Sequence, residues 1–263
     1  MTSMATTRRC GELERRTAEL LGHEAAVYMP SGTMTNQVAL RAHTESGDQI
    51  LCDAQAHIAI LERGAPAALS GLSVRPLPGR HGVFSADDVR AACPPSHRFL
   101  PLIQPPTRLV CVENTHNVGG GTIWPLATLK GVLAAARDLG LRTHLDGARI
   151  WNAAATGIDV ATYASGFDSV SVCFSKGLGA PVGSALAGSA AFVARRGGSR
   201  PCSGAASARP ASLPPPPFMP STTTVTGWST TTRTPGVSPT ASPRWTGSSW
   251  TSVASSPTSC AFA

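Results

Sequence analysis

The chain has 263 residues and a formal net charge of +7, from 22 Lys and Arg against 15 Asp and Glu. Its length suits one large domain, or one domain with an appendage. Four of the excess cations, Arg200, Arg209, Arg233 and Arg244, are scattered beyond Gly198, and the others form no cluster, which excludes the footprint of a nucleic-acid or membrane-surface binder.

In chain order, Glu12 to Leu21 places Leu13, Ala18, Leu20 and Leu21 at helical spacing, with Gly22 as a stop. Ala25 to Met29 is a short apolar run. Pro30-Ser31-Gly32-Thr33 follows it and opens a second helical pattern through Ala42. Ile50 to Cys52 reads as a strand, His57 to Leu69 as a helix and Ser73 to Leu77 as a weak strand. Ser85 to Cys93 is a helix with Ser85 as its N-cap. Arg108 to Val112 is the strongest strand, and it ends in Glu113-Asn114-Thr115-His116. Leu126 to Leu139 is the cleanest helix, closed by Gly140. Strands follow at Leu141 to Leu145, Ser169 to Phe174 and Gly183 to Ala187. This alternation, with Val, Ile and Leu on both faces of several strands, predicts an α/β fold in which a mostly parallel sheet lies between helices.

The seven cysteines include no C-x-x-C pair. Cys52, Cys111 and Cys173 lie in apolar strand-like runs, where a reduced thiol packs as a small hydrophobe, so a reducing, cytoplasmic setting is expected. No apolar run approaches the ~20 residues of a membrane span. The opening segment lacks the apolar stretch of a secretory signal.

The composition changes near residue 197. From Gly198 to Ala263 there is no Lys, Asp, Glu, Asn, Gln, His, Tyr or Ile, and the only leucine is Leu213. Residues 1–197 therefore read as the folded domain. Residues 198–263 read as a low-complexity Pro/Ser/Thr-rich tail that buries too little apolar surface to order, and disorder is expected there.

Polar residues gather just past the C-terminal ends of the strands, where open α/β sheets bind ligands. Lys176 stands in S-K-G-L-G-A after a strand, and Lys130 is the only other lysine. An amine among small and apolar neighbours is suited to covalent catalysis through its neutral form. Asp146 ends a strand, where an acid can keep a pyridine nitrogen protonated. Arg149, three residues on, can reach a phenolate or a carboxylate. Ser31, Gly32 and Thr33 open a helix, whose free N–H groups make a phosphate cradle. His57 and His116 are candidate general bases, the former able to stack on a pyridine, and Glu62 and Glu113 are candidate proton handlers. Taken singly, each residue also has a structural reading as a turn, a cap or a buried pair. Their order along the chain is what gives the set weight.

The blocks L-E-x-x-T-A-E-L-L-G (Leu13 to Gly22), P-S-G-T-M-x-N (Pro30 to Asn36), Q-A-H-I (Gln55 to Ile58), E-N-T-H-N (Glu113 to Asn117), H-L-D-G-A-R (His144 to Arg149) and S-V-S-V-C-F-S-K-G-L-G-A-P-V-G-S (Ser169 to Ser184) resemble threonine aldolases in order and spacing. The resemblance runs from about residue 11 to about residue 195. It implies the large domain of a fold-type I pyridoxal-phosphate enzyme that cleaves L-threonine and L-allo-threonine, small β-hydroxy amino acids, to glycine and acetaldehyde.

By the same resemblance, Lys176 is the Schiff-base lysine. Ser31, Gly32 and Thr33 hold phosphate, His57 stacks on the ring and Asp146 pairs with its nitrogen. Arg149 contacts the cofactor oxygen or the substrate carboxylate, and His116 lies near the substrate hydroxyl. No metal is implied, and the family forms homodimers or homotetramers. Three family features have no counterpart here: an opening D-x-R-S-D-T-V-T segment, an aromatic residue where this chain has Leu61, and the small C-terminal domain. A second reading is therefore a catalytically inactive remnant that at most binds pyridoxal phosphate.

Overall fold

The structure, a computed structural model, describes residues 4–93 and 104–197, and the expected tail at 198–263 lies outside the described residues. Helix α1 (Met4–Leu21) ends at Gly22, which adopts φ +70. It is followed by β1 (Ala25–Met29), α2 (Gly32–His43) and β2 (Gln49–Asp53). Next come α3 (His57–Ile60), α4 (Ala65–Ser70), β3 (Ser73–Leu77), α5 (Ala86–Ala92), β4 (Thr107–Glu113) and α6 (Leu126–Asp138). The described chain ends with β5 (Arg142–Gly147), α7 (Ile150–Ala154), α8 (Val160–Ala164), β6 (Ser169–Cys173), β7 (Ser184–Gly188) and α9 (Ala190–Gly197).

The seven strands form one sheet in the order β1-β7-β6-β5-β4-β2-β3. The run from β6 to β3 is parallel throughout, and β7 is antiparallel to both of its neighbours, β6 and β1. The expected mostly parallel sheet is therefore present. Because β7 reverses direction between them, β1 points the same way as β6. The C-terminal ends of β1, β2, β4, β5 and β6 then share one edge, where residues from distant parts of the chain can converge.

Both faces are covered, as the strand composition predicts. In β2, Leu51 packs on the α1, α5 and α6 side, whereas Ile50 and Cys52 pack with Leu40 of α2 on the other. In β4, Val110 and Val112 alternate with Leu109 and Cys111 in the same way. This period-two alternation between two apolar layers distinguishes a doubly covered sheet from a one-sided one. Cys52, Cys111 and Cys173 are buried free thiols, in keeping with their apolar settings.

Two departures from the sequence pattern have local causes. The single helix expected from His57 to Leu69 is split, because Arg63 and Gly64 take left-handed φ values of 51 and 71. Pro66 then opens α4, a position where its missing N–H costs nothing. The short helices α7, α8 and α9 were not expected. They hold five, five and eight residues, too few for a strong 3.6-residue period.

The loop after β4 is pinned by an aromatic cluster. Trp124 is wholly buried, meets Phe84 edge-on at 4.9 Å, and donates from Nε1 to the Glu113 carbonyl at 3.0 Å. Gly82 packs directly against the buried ring of His116. A Cβ there would lie 2.1 Å from His116 Cγ, and φ is +85. Overpacking and a left-handed backbone add, so Gly82→Ala is expected to destabilise the protein by about 2–5 kcal/mol. That corresponds to a melting temperature lower by roughly 5–15 °C. A thermal melt within about 2 °C of the parent would contradict this packing.

Candidate active site

A cavity of about 310 Å³ opens at the C-terminal edge of the sheet, and Ser31, Gly32, Thr33, Asn36, His57, Asp146 and Lys176 are among the residues lining it. Ser31 ends the segment after β1 in an extended conformation and caps α2, its hydroxyl accepting from the Met34 N–H at 3.3 Å. The first N–H groups of α2, at Gly32 and Thr33, have no carbonyl one turn back to bond. A Cβ on Gly32 would meet Cys173 Sγ at 2.6 Å, so only glycine lets the helix start sit this close to β6.

Asp146 lies near the end of β5, paired in register with Glu113 on one side and Ser171 on the other. It is buried and raised above the ordinary aspartate range by desolvation, with the Glu113 carboxylate adding to the effect. Its Oδ2 accepts from Asn36 Nδ2 at 2.7 Å, and its Oδ1 accepts from the Ala148 N–H at 3.1 Å. Lys176 follows β6 in a turn closed by the Gly179 N–H bonding its carbonyl at 2.9 Å, and is half-buried. The acid and the lysine, thirty residues apart in the chain, therefore face one space.

His57 starts α3. Its backbone N–H donates to Glu113 Oε2 at 2.7 Å, and its ring Nδ1 bonds Glu62 Oε1 at 2.9 Å. Glu62 is buried and also accepts from Asn36 Nδ2 at 2.9 Å and Gln37 Nε2 at 2.5 Å. The bond to Glu62 raises the His57 pKa, with smaller contributions from the Asp146 and Glu62 charges and opposition from burial and Lys176. A raised histidine pKa stabilises the folded state below the unfolded value of about 6.5, and that stability is lost as pH rises through the folded value. Glu62→Gln is therefore expected to move the His57 titration midpoint down, read by NMR of the imidazole protons. An unmoved midpoint would show that Glu62 does not control this ring.

The cavity thus gathers Lys176, Asp146, His57 and the Ser31–Thr33 turn, all named from sequence. It does not gather the other two. Arg149 is half-buried in the position just before α7, outside the cavity lining. His116 is wholly buried behind Gly82 and Gly119, also outside the lining. Its Nδ1 accepts from the Gly119 N–H at 3.0 Å, and its Nε2 lies 3.2 Å from Asp53 Oδ1. Asn36, which the sequence shows only as the end of the P-S-G-T-M-x-N block, has no role assigned to it there. Its signal is weak, an asparagine one turn into a helix, but its amide N–H groups bridge the Glu62 and Asp146 carboxylates.

The match to the beta-eliminating lyase family model spans residues 2–206. The chain belongs to the beta-eliminating lyase family. Among curated relatives, the low specificity L-threonine aldolase of Saccharomyces cerevisiae is 39% identical over 184 residues, covering 69% of this chain and 46% of the yeast protein. The low-specificity L-threonine aldolase of Candida albicans is 40% identical over 184 residues, covering 69% of this chain and 48% of its own. The Leishmania major threonine aldolase structure matches with a TM-score of 0.57 at 26% identity, over 69% of this chain and 51% of that one. The chain spans about half the length of the curated relatives it matches. Its architecture is that of fold-type I pyridoxal-phosphate enzymes. No helix among its described residues is long and apolar enough to cross a membrane.

Proposed function

We propose that this protein uses pyridoxal 5'-phosphate to cleave small β-hydroxy amino acids, L-threonine and L-allo-threonine, to glycine and acetaldehyde. The observation that carries the reading is the convergence of Asp146, Lys176 and the α2 N-terminus on one cavity. Those residues fit the cofactor. The free N–H groups at Gly32 and Thr33 suit a phosphate, and a buried carboxylate suits a protonated pyridine nitrogen. The Lys176 amine, in the same lining, would supply the covalent attachment. When bound, the cofactor supplies an electron sink for a breaking Cα–Cβ bond.

The protein's own groups then have separable tasks. Asp146 holds a proton on its partner nitrogen, kept in place by Asn36 and Ala148. Lys176 Nζ supplies the attachment amine. His57 lines the cavity with Nδ1 committed to Glu62, which leaves Nε2 as the ring nitrogen that would exchange a proton with the β-hydroxyl. The buried ring of His116 supports a different task, shaping the loop after β4 against Gly82 and Gly119. In this reading Arg149 is the cation for a cofactor or substrate oxygen.

The test is glycine release from L-allo-threonine by the purified full chain supplied with pyridoxal phosphate. Release that depends on the cofactor supports the reading. Cofactor binding with no glycine release would leave a binding remnant, and no binding would defeat the proposal.

A further inference from the structure

From Asn36, which holds Asp146, a chain of hydrogen bonds runs on to His43 through His144 and Ser169, groups that the proposed reaction does not use. His43, at the C-terminal end of α2, bonds through Nε2 to Ser169 Oγ at 2.8 Å. Ser169 Oγ lies 2.8 Å from His144 Nδ1. His144 Nε2 lies 3.2 Å from Asn36 Oδ1, with Ser171 Oγ at 3.4 Å. Asn36 Nδ2 then reaches Asp146 and Glu62. His144, Asn36 and Ser169 are between 0% and 2% exposed, so no solvent competes for these bonds.

The chemistry of the groups assigns one direction to every bond. Two carboxylate oxygens can only accept from Asn36, so both N–H groups of its amide point at them and its oxygen must point back. An oxygen facing His144 Nε2 requires a proton on that nitrogen. His144 Nδ1 is then an acceptor and takes the Ser169 hydroxyl proton, and Ser169 Oγ in turn accepts from His43. A flipped Asn36 would aim its oxygen at two acids. Burial keeps His144 neutral, its pKa pushed down to about 3, with His43 adding to the effect. A single tautomer is therefore available across the working pH range.

We propose that His144 is a positioning residue which, by fixing the Asn36 amide, aims two proton donors at Asp146 and Glu62 and so sets both the acid that faces the cavity and the acid that holds His57. The role rests on the cofactor reading given above, but the hydrogen-bond order does not. Two measurements separate them.

The first uses the protein without added cofactor. Imidazole nitrogen NMR is expected to show His144 as the Nε2-protonated neutral form throughout pH 5.5 to 7.5, a range chosen around the ordinary histidine pKa of about 6.5. A charged ring, or the opposite tautomer, would overturn the proposal even if cofactor binds.

The second compares pyridoxal phosphate affinity in His144→Gln, which keeps a donor near the Nε2 position, and His144→Phe, which fills the space without one. The expected result is a dissociation constant within about threefold of the parent for glutamine and raised at least about tenfold for phenylalanine, the scale of one lost buried hydrogen bond. Equal affinities in the two variants would overturn the proposal, since packing alone would then explain the residue. If His144→Phe does not fold, His144→Leu serves in its place with the same expected loss of affinity, and an affinity equal to that of His144→Gln would overturn the proposal. A parent protein that binds no pyridoxal phosphate would defeat the cofactor reading, and the NMR result alone would then decide the hydrogen-bond order.

Discussion

Replacing Lys176 with alanine is expected to lower the rate of glycine release by at least about a thousandfold, the scale of losing a covalent catalytic group. Lys176 is half-buried and shares its cavity with the buried acid Asp146. The other lysine, Lys130, is exposed on α6, at a distance along the sequence from every cavity residue. Borohydride reduction of the protein with pyridoxal phosphate, followed by peptide mass analysis, reads the difference directly. The cofactor mass should appear on the peptide containing Lys176 and vanish in Lys176→Ala, while Lys130→Ala leaves labelling and rate unchanged. Labelling on Lys130 alone, or equal labelling of both, would mark Lys176 as an ordinary turn lysine.

The layered α/β fold was legible because its strands state their own environment. Leu109 to Val112 has no polar residue, and a strand buried on both faces needs that composition. The cavity was legible where function sits at a strand end: Asp146 after Thr143-His144-Leu145, and Lys176 after Cys173-Phe174-Ser175. What escaped were relations made across the sheet. Asn36 bonds Asp146 across 110 residues of sequence, and nothing adjacent to it in the chain announces that partner.

His116 is a different case. A histidine after a strong strand reads as a candidate general base, but its burial depends on Gly82 and Gly119, which come from loops whose approach no local pattern encodes. Arg149 is a matter of direction. Three residues beyond Asp146 it has already turned into the start of α7, so nearness in sequence did not become a place in the cavity lining.

Asp146→Asn separates function from stability more sharply than any other substitution in the cavity. Burial disfavours the Asp146 carboxylate and raises its pKa, so between the unfolded value near 3.9 and the folded value the native state holds the extra proton. Stability contributed by that proton is present below the unfolded pKa and declines as pH rises through the folded one. Asparagine removes this slope. It also turns one acceptor into an amide that must face either Asn36 Nδ2 or the Ala148 N–H, both donors. The gain and the loss are each about 1–3 kcal/mol and oppose one another. The melting temperature near neutral pH should therefore change by no more than about 5 °C.

Catalysis has no such compensation. An amide cannot hold a neighbouring nitrogen in its protonated state, and losing one preorganised electrostatic partner typically costs about 100- to 1000-fold in kcat. The expected variant is thus folded, binds pyridoxal phosphate and releases glycine at least about a hundredfold more slowly. A variant that melts far below the parent but keeps its rate would make Asp146 a strand-end brace. The buried charge would then need a structural reason, and the hydrogen bonds from Asn36 and the Ala148 N–H would have to supply it.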